Sequence, residues 1–182
     1  MIYKENEGYA RGQLKANFYD ERIKWAEEKQ KSLEAKRKVI KAQDMPWEIS
    51  REGKLKHVVN EKMDTRMTTL DVYIQEIPPG SRSGKHRHMS EETFYVLEGK
   101  GYDIHQDPDV QIGDIYSWEP KEETRRFDWD TGDLVYIPPM VVHQHFNADA
   151  EKQARIIVAD TRLPMYMGCP RWEQIEDAPE YK

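Results

Sequence analysis

An antiparallel β-sandwich or barrel with an N-terminal helical extension is the fold class this sequence predicts. From about residue 54 the apolar residues recur with the two-residue period of a strand instead of the 3.6-residue period of a helix. The runs so marked are short and bounded by Gly, Pro and Asp turns. No helical period separates them, which argues against crossover helices and a parallel sheet. At 182 residues the chain holds one ordinary domain with an appendage. The expected organisation is an extension over 1–50, a barrel over 51–165 and a tail over 166–182.

The first element runs from about Leu14 to Ala42, without Gly or Pro and rich in helix formers, and reads as one helix or two short ones. Its apolar residues are sparse: Leu14, Phe18, Ile23, Trp25, Leu33, Val39 and Ile40. So narrow a stripe builds no core of its own, so the segment is expected to lie against the main domain or a neighbouring subunit. A DNA-reading helix pair is the sharper alternative, disfavoured by the low apolar content and the lack of a Gly-containing turn. Pro46 ends the helical pattern.

The strand-forming runs follow. "MTTLDVYIQEI" alternates Leu70, Val72 and Ile74 with Asp71, Tyr73 and Gln75 and stops at "PPG". "TFYVLEGKGYDIH" comes next, then a loop-like "QDPDVQIGDIYSWEPKEETRR", then "FDW", "TGDLVYIPP", "VVHQHFN" and "ARIIVAD". Phe94, Val96, Leu134 and Ile137 are expected in the core or barrel wall. The fold of the polar tail is undecided by its sequence.

Charge and composition exclude several functions. The net charge of −6 divides into 11 Lys and Arg against 9 Asp and Glu over residues 1–50, and 17 against 25 over the remainder. An acidic main domain argues against a nucleic-acid partner. No window approaches the roughly 18 consecutive apolar residues of a membrane span, and the polar start lacks a secretory signal. The single Cys169 forms no internal disulfide, which suits a reducing compartment. A cytoplasmic protein is the expectation.

The chemistry concentrates in two segments. In "GSRSGKHRHMSEETFYVLEG" His86 and His88 project from one face of a strand, and Glu92, Phe94 and Val96 share a face of the next. If that face is the interior, two imidazoles and a carboxylate meet there, and a divalent metal is the partner that suits both. Glu91 has the opposite parity and is expected to be solvated. In "GDLVYIPPMVVHQHFN" a second strand carries His143 and His145 on one face.

Gly80, His86, His88, Glu92 and Gly99, with their intervening spacings, resemble the first motif of the cupin family. Gly132, Pro138, Met140, His143 and Asn147 are similar to the second, except that Met140 stands where a Gly is usual. The resemblance covers roughly residues 62–160. It implies a double-stranded β-helix (jelly-roll) barrel around one mononuclear divalent metal, with His86, His88, Glu92 and His143 as the metal ligands. Met140 puts the usual turn backbone in question, because a side chain resists φ > 0. Of the three roles open to His145, namely a group outside the ligand shell, an acid/base residue near substrate or a barrel-mouth histidine, the catalytic one is carried forward. His105 is expected in an exposed turn.

A closer similarity, to gentisate-dioxygenase-like ring-cleaving cupins, lies in "IPPGSRSGKHRH" and "RRFDWDTGDLVYIPPMVVHQHFN". Those enzymes generally lack the motif glutamate and contain two cupin units, so only a reaction class carries over. The resemblance implies an Fe(II) dioxygenase acting on a small hydroxylated or carboxylated organic molecule, aromatic ones included, with Mn, Ni or Zn as other ions the site suits. A non-oxidative lyase or isomerase and a ligand-binding barrel without catalysis are the alternatives. Sheet edges and a charged helix predict a homodimer.

Overall fold

The computed structural model describes residues 17–182, so Leu14 and the start of the sequence-predicted helix lie outside the described residues. Two units separate, Met1–Lys36 and Arg37–Lys182. The first contains helix α1, Phe18–Glu34, which has Asp20 and Glu21 in its first turn and Lys31 in its last, as the helix dipole favours. None of its residues is buried.

The second unit is almost entirely β. Its strands are β1 (Trp47–Ser50), β2 (Gly53–Val59), β3 (Leu70–Ile77), β4 (Lys85–His88), β5 (Glu92–Glu98), β6 (Lys100–Gln106), β7 (Pro108–Ile112), β8 (Tyr116–Pro120), β9 (Arg125–Asp130), β10 (Leu134–Ile137), β11 (Val142–Asn147), β12 (Ala154–Thr161) and β13 (Trp172–Glu176), with a short helix α2 at Leu163–Tyr166. A six-stranded sheet has the order β1-β2-β3-β12-β5-β10 and a five-stranded sheet the order β13-β4-β11-β6-β9; β7 and β8 form a separate hairpin. The named strands pair only antiparallel. The buried cluster of Ile77, Phe94, Val96, Trp129, Ile137, Val141, Ala154, Ile156 and Val158 draws on both sheets.

Register aligns three rows across the inner face of the larger sheet. Gln75, Ile156 and Val96 are cross-strand neighbours, as are Tyr73, Val158 and Phe94, and then Asp71, Asp160 and Glu92. The polar alternate of β3 therefore faces inward, while Val72 and Ile74 are half-buried on the outside. This reverses what apolar alternation alone suggests. The reason lies in the interior, which is polar at one end and takes Asp71 and Tyr73 as lining.

Other differences from the sequence-based expectations have similar causes. Leu134 is exposed because β10 is an edge strand and Leu134, opposite Tyr95, points outward. His105 is buried, since it sits within β6 directly across from His143. The loop-like segment after Gln106 closes as the β7–β8 hairpin. Residues 47–50 already pair with β2, and residues 172–176 of the tail pair with β4, so strands of the two sheets extend beyond the 51–165 barrel boundaries at both ends.

Met140 keeps the left-handed turn that a Gly usually occupies, with φ 64°, and its side chain is fully buried. Its N–H donates to the His88 carbonyl at 2.7 Å, tying the turn to the strand that carries His86 and His88. Met140→Gly should relieve about 1 kcal/mol of backbone strain but lose about 2–4 kcal/mol of buried side chain. A net destabilisation of about 1–3 kcal/mol in urea unfolding is expected; a stabilised variant would mean that backbone strain dominates at this turn.

On the outer face, Glu76 accepts from Lys54 Nζ at 2.5 Å and from Arg155 Nε at 2.9 Å. Burial opposes its charge, but these two cations outweigh it and lower its pKa. With the folded-state pKa depressed, the contribution is present above the unfolded value and fades as pH falls through the folded one. Glu76→Gln should therefore cost about 1 kcal/mol at pH 7, allowing for solvent screening of the half-exposed cations, with the difference from wild type shrinking below about pH 4. Equal losses at pH 7 and pH 3 would rule out the ionic origin.

Candidate metal centre

The two sheets bring four ligand-bearing side chains to one point. His86 and His88 come from β4, His143 from the neighbouring β11 in direct register with His86, and Glu92 from β5 of the opposite sheet. All four are 1–2% exposed. One donor atom from each lies within 4.8 Å of every other.

Backbone contacts orient the rings. His88 Nδ1 donates to the Ser90 carbonyl and His143 Nδ1 to the Val141 carbonyl, each at 3.0 Å. For His143, donation from Nδ1 leaves Nε2 as the unprotonated acceptor atom that a metal requires, whereas His88 Nε2 donates to Glu92 Oε2 at 3.1 Å. His86 Nδ1 lies 2.9 Å from Glu52 Oε2, an ion-pair contact without hydrogen-bond alignment. Nε2 of His86, Nε2 of His143 and Oε1 of Glu92 are buried without hydrogen-bond partners. Buried polar atoms left unpaired cost roughly 1–3 kcal/mol each, and three of them converging on one point fit a divalent cation. Imidazole nitrogen and carboxylate oxygen suit iron, manganese, nickel or zinc.

Electrostatics support the same fit. Burial works against the Glu92 charge, yet contacts with His145 and His88 and the field of His143 hold its carboxyl well below the usual range. Burial, reinforced by the charge of His86, pushes His143 well below an ordinary imidazole and keeps it neutral, as a ligand must be.

His145 sits behind this group. Its Nδ1 donates to Asp103 Oδ2 at 2.9 Å and its Nε2 is 3.7 Å from Glu92 Oε1. Burial disfavours its charge, but Asp103 and Glu92 outweigh burial and raise it to about 10. Asp103 also accepts from Trp129 Nε1 at 2.9 Å and from His105 Nε2 at 3.2 Å. Thus His145 and His105 join Asp103 in a fully enclosed network. His145 does not line the cavity described next.

A cavity of about 490 Å³ opens beside the cluster, with Glu52, Tyr73, Asp71, Asp160, Arg162 and Trp172 among its walls. Trp172 stacks on His86 at 5.1 Å and on His88 at 4.7 Å between ring centroids. Burial and the neighbouring Glu92 charge push Asp160 up to about 7. Tyr73 lines the space, whereas Tyr95 and Tyr136 are exposed. Glu91 is exposed and accepts from the Tyr136 hydroxyl at 2.9 Å.

The sequence brings out the four clustered residues and His145. It does not bring out Glu52, Asp103, Asp160 or Trp172. Only Asp160 carries a detectable signal, being a charged residue that shares the parity of Ala154, Ile156 and Val158 in "ARIIVAD", whereas Asp103 alternates with the apolar Tyr102 and Ile104. Trp172 reaches the site through a strand pairing that no local pattern announces.

An antiparallel double-sheet barrel enclosing three histidines and one glutamate at its polar end is the class of protein defined here. Residues 73–160 match the cupin domain family model, and the barrel belongs to the cupin superfamily. Auxin-binding protein T85 of Nicotiana tabacum is 31% identical over 99 residues, 54% of this chain and 49% of that protein. The chain thus spans about half the length of the curated relatives it matches. Among solved structures, oxalate decarboxylase from Bacillus subtilis aligns with TM-score 0.53 at 18% identity, over 67% of this chain and 28% of that one. The capsular polysaccharide assembling protein CapF from Staphylococcus aureus aligns with TM-score 0.53 at 17% identity, over 72% and 32%. At these identities both structures speak to fold alone. Among the described residues no helix is long and apolar enough to cross a membrane.

Proposed function

We propose that this protein is a mononuclear metal-dependent enzyme, an Fe(II) dioxygenase of a small hydroxylated or carboxylated molecule, with His86, His88, Glu92 and His143 holding the ion. The observation that carries this reading is the convergence of three unpartnered buried ligand atoms beside a cavity of substrate size. Iron bound by such ligands supplies open coordination positions and redox chemistry with dioxygen. The chain's own residues do the rest. Glu52 faces the outer nitrogen of His86, Trp172 walls the two histidines of β4 from water, and Asp103 holds His145 against Glu92. In this reading His145 acts on Glu92, as a positioning residue, and proton transfer at the cavity falls to Asp160.

A second reading, a ligand-binding barrel without turnover, has one observation in its favour: the curated relatives are named for binding auxin. The proposal also includes a cytoplasmic homodimer, supported by the large apolar side chains of Ile112, Ile115 and Tyr116 exposed on and beside the β7–β8 hairpin.

The test is metal analysis of protein purified without an affinity tag, followed by oxygen uptake of the Fe(II)-loaded form with phenolic and hydroxy acid, alcohol and amine panels. Iron near one per chain with substrate-dependent uptake is the expected result. Another metal, or iron without uptake, would transfer the reading to lyase or isomerase chemistry, and saturable binding without turnover to the ligand-binding barrel.

A further inference from the structure

The cavity beside the metal centre has an unbalanced set of charges. Arg162 is committed to Glu61 at 2.7 Å and to Asp71 at 3.5 Å. Glu52 faces His86 at 2.9 Å, and His57 pairs with Glu48 at 2.6 Å. Asp160 is left over: it is 7% exposed, lines the cavity, and its carboxylate makes no hydrogen bond or ion pair among the described residues. One further acceptor atom on a cavity-lining residue, Glu52 Oε1, is buried without a hydrogen-bond partner, and Asp71 Oδ1 has only its 3.5 Å ion-pair contact with Arg162. Buried acceptors of this kind call for donors, and a buried carboxylate calls for a donor that carries positive charge.

Position makes Asp160 more than one member of an acidic group. It lies between Asp71 and Glu92 on the inner face, one strand away from the metal-facing carboxylate, while Tyr73 and Trp172 supply aromatic walls to the same space. A ligand in this cavity meets Asp160 on the same wall as Trp172, which stacks on His86 and His88. A carboxylate there would face Asp160, Asp71 and Glu52, with the Arg162 guanidinium already shared between two acids and the exposed Lys62 as the one other lysine or arginine on the lining.

We infer that the cavity selects a small molecule bearing a protonated amine, received by Asp160, over its neutral and carboxylate counterparts. The inference rests on the cavity being the substrate site of the proposed enzyme, and it narrows the substrate from hydroxylated or carboxylated to amine-bearing. Aromatic walls beside a carboxylate suit such a ligand twice, through the ion pair and through cation–π attraction.

The experiment is calorimetric titration of the metal-loaded full chain under argon with three catechols that share ring and chain length. They are dopamine, 3,4-dihydroxyphenylethanol and 3,4-dihydroxyphenylacetate, ending in ammonium, hydroxyl and carboxylate. Any contribution of the ring hydroxyls is common to all three. The expected result is dopamine bound at least about tenfold more tightly than the alcohol, the margin of a charged hydrogen bond, with the carboxylate weakest. Asp160→Asn, which keeps the shape, should bring amine and alcohol to within about threefold of each other. Equal affinities, tightest binding of the carboxylate, no binding of dopamine, or an undiminished preference in Asp160→Asn would overturn the inference. The wild-type ranking decides the matter even if the variant fails to fold. Oxygen uptake is not read, so failure of the dioxygenase reading and failure of amine selection appear in different measurements.

Discussion

His143→Ala should lower divalent metal affinity by more than about a hundredfold, beyond the ten- to hundredfold loss that follows removal of a group merely supporting a ligand. His143 joins β11 to the cluster directly opposite His86, and its Nε2 is one of the three unpartnered ligand atoms. Without it the ligands of β4 face Glu92 alone. The metal-free variant should nevertheless fold, because His143 is held neutral and its removal takes away an unsatisfied nitrogen together with one hydrogen bond to Val141. Thermal unfolding with and without added Mn(II) or Fe(II) separates these effects. Metal at about a hundred times its dissociation constant should stabilise wild type by about 2.7 kcal/mol and leave the variant unmoved. A variant that still binds metal at the wild-type level would remove the four-residue centre from consideration.

That centre was largely legible in the sequence because its geometry is local. Parity alone puts His86 and His88 on one face, separates Glu92 from Glu91, and sets His143 and His145 side by side. Which of the two histidines joins the cluster with His86 and which stands behind it is not readable from parity, since both point inward. What divides them is depth along the barrel: His143 lies across from His86, whereas His145 lies across from Asp103. The inversion of β3 was hidden for a related reason. Apolar alternation identifies a buried face only where the interior is apolar, and the end of this barrel near the cavity is lined by Asp71, Tyr73 and Asp160. Long-range pairing explains the rest. Glu52 and Trp172 stand in a polar turn and a polar tail, and only the closure of the sheets carries them to His86.

Asp103→Asn should cost about 3–5 kcal/mol of stability, the range for leaving one member of a buried charge pair without its partner. The carboxylate is fully buried and accepts from three donors: Trp129 Nε1, His145 Nδ1 and His105 Nε2. An asparagine presents one oxygen in their midst and turns an amide N–H₂ toward the remaining donors, so shape is conserved while the hydrogen-bond roles conflict. Trp129→Phe removes a single neutral donor from the same carboxylate and should cost only about 1 kcal/mol beyond its packing. Loss of the Asp103 charge also frees His145, whose contact with Glu92 Oε1 helps to set that carboxylate. Metal affinity should therefore fall about ten- to a hundredfold. A double-mutant cycle of Asp103→Asn with His145→Gln, read by urea unfolding and by metal titration, should return a coupling of about 1–3 kcal/mol in both measurements. Coupling in stability without coupling in metal affinity would confine the pair to the scaffold, and additive losses in both would show that Asp103 and Glu92 do not communicate through His145.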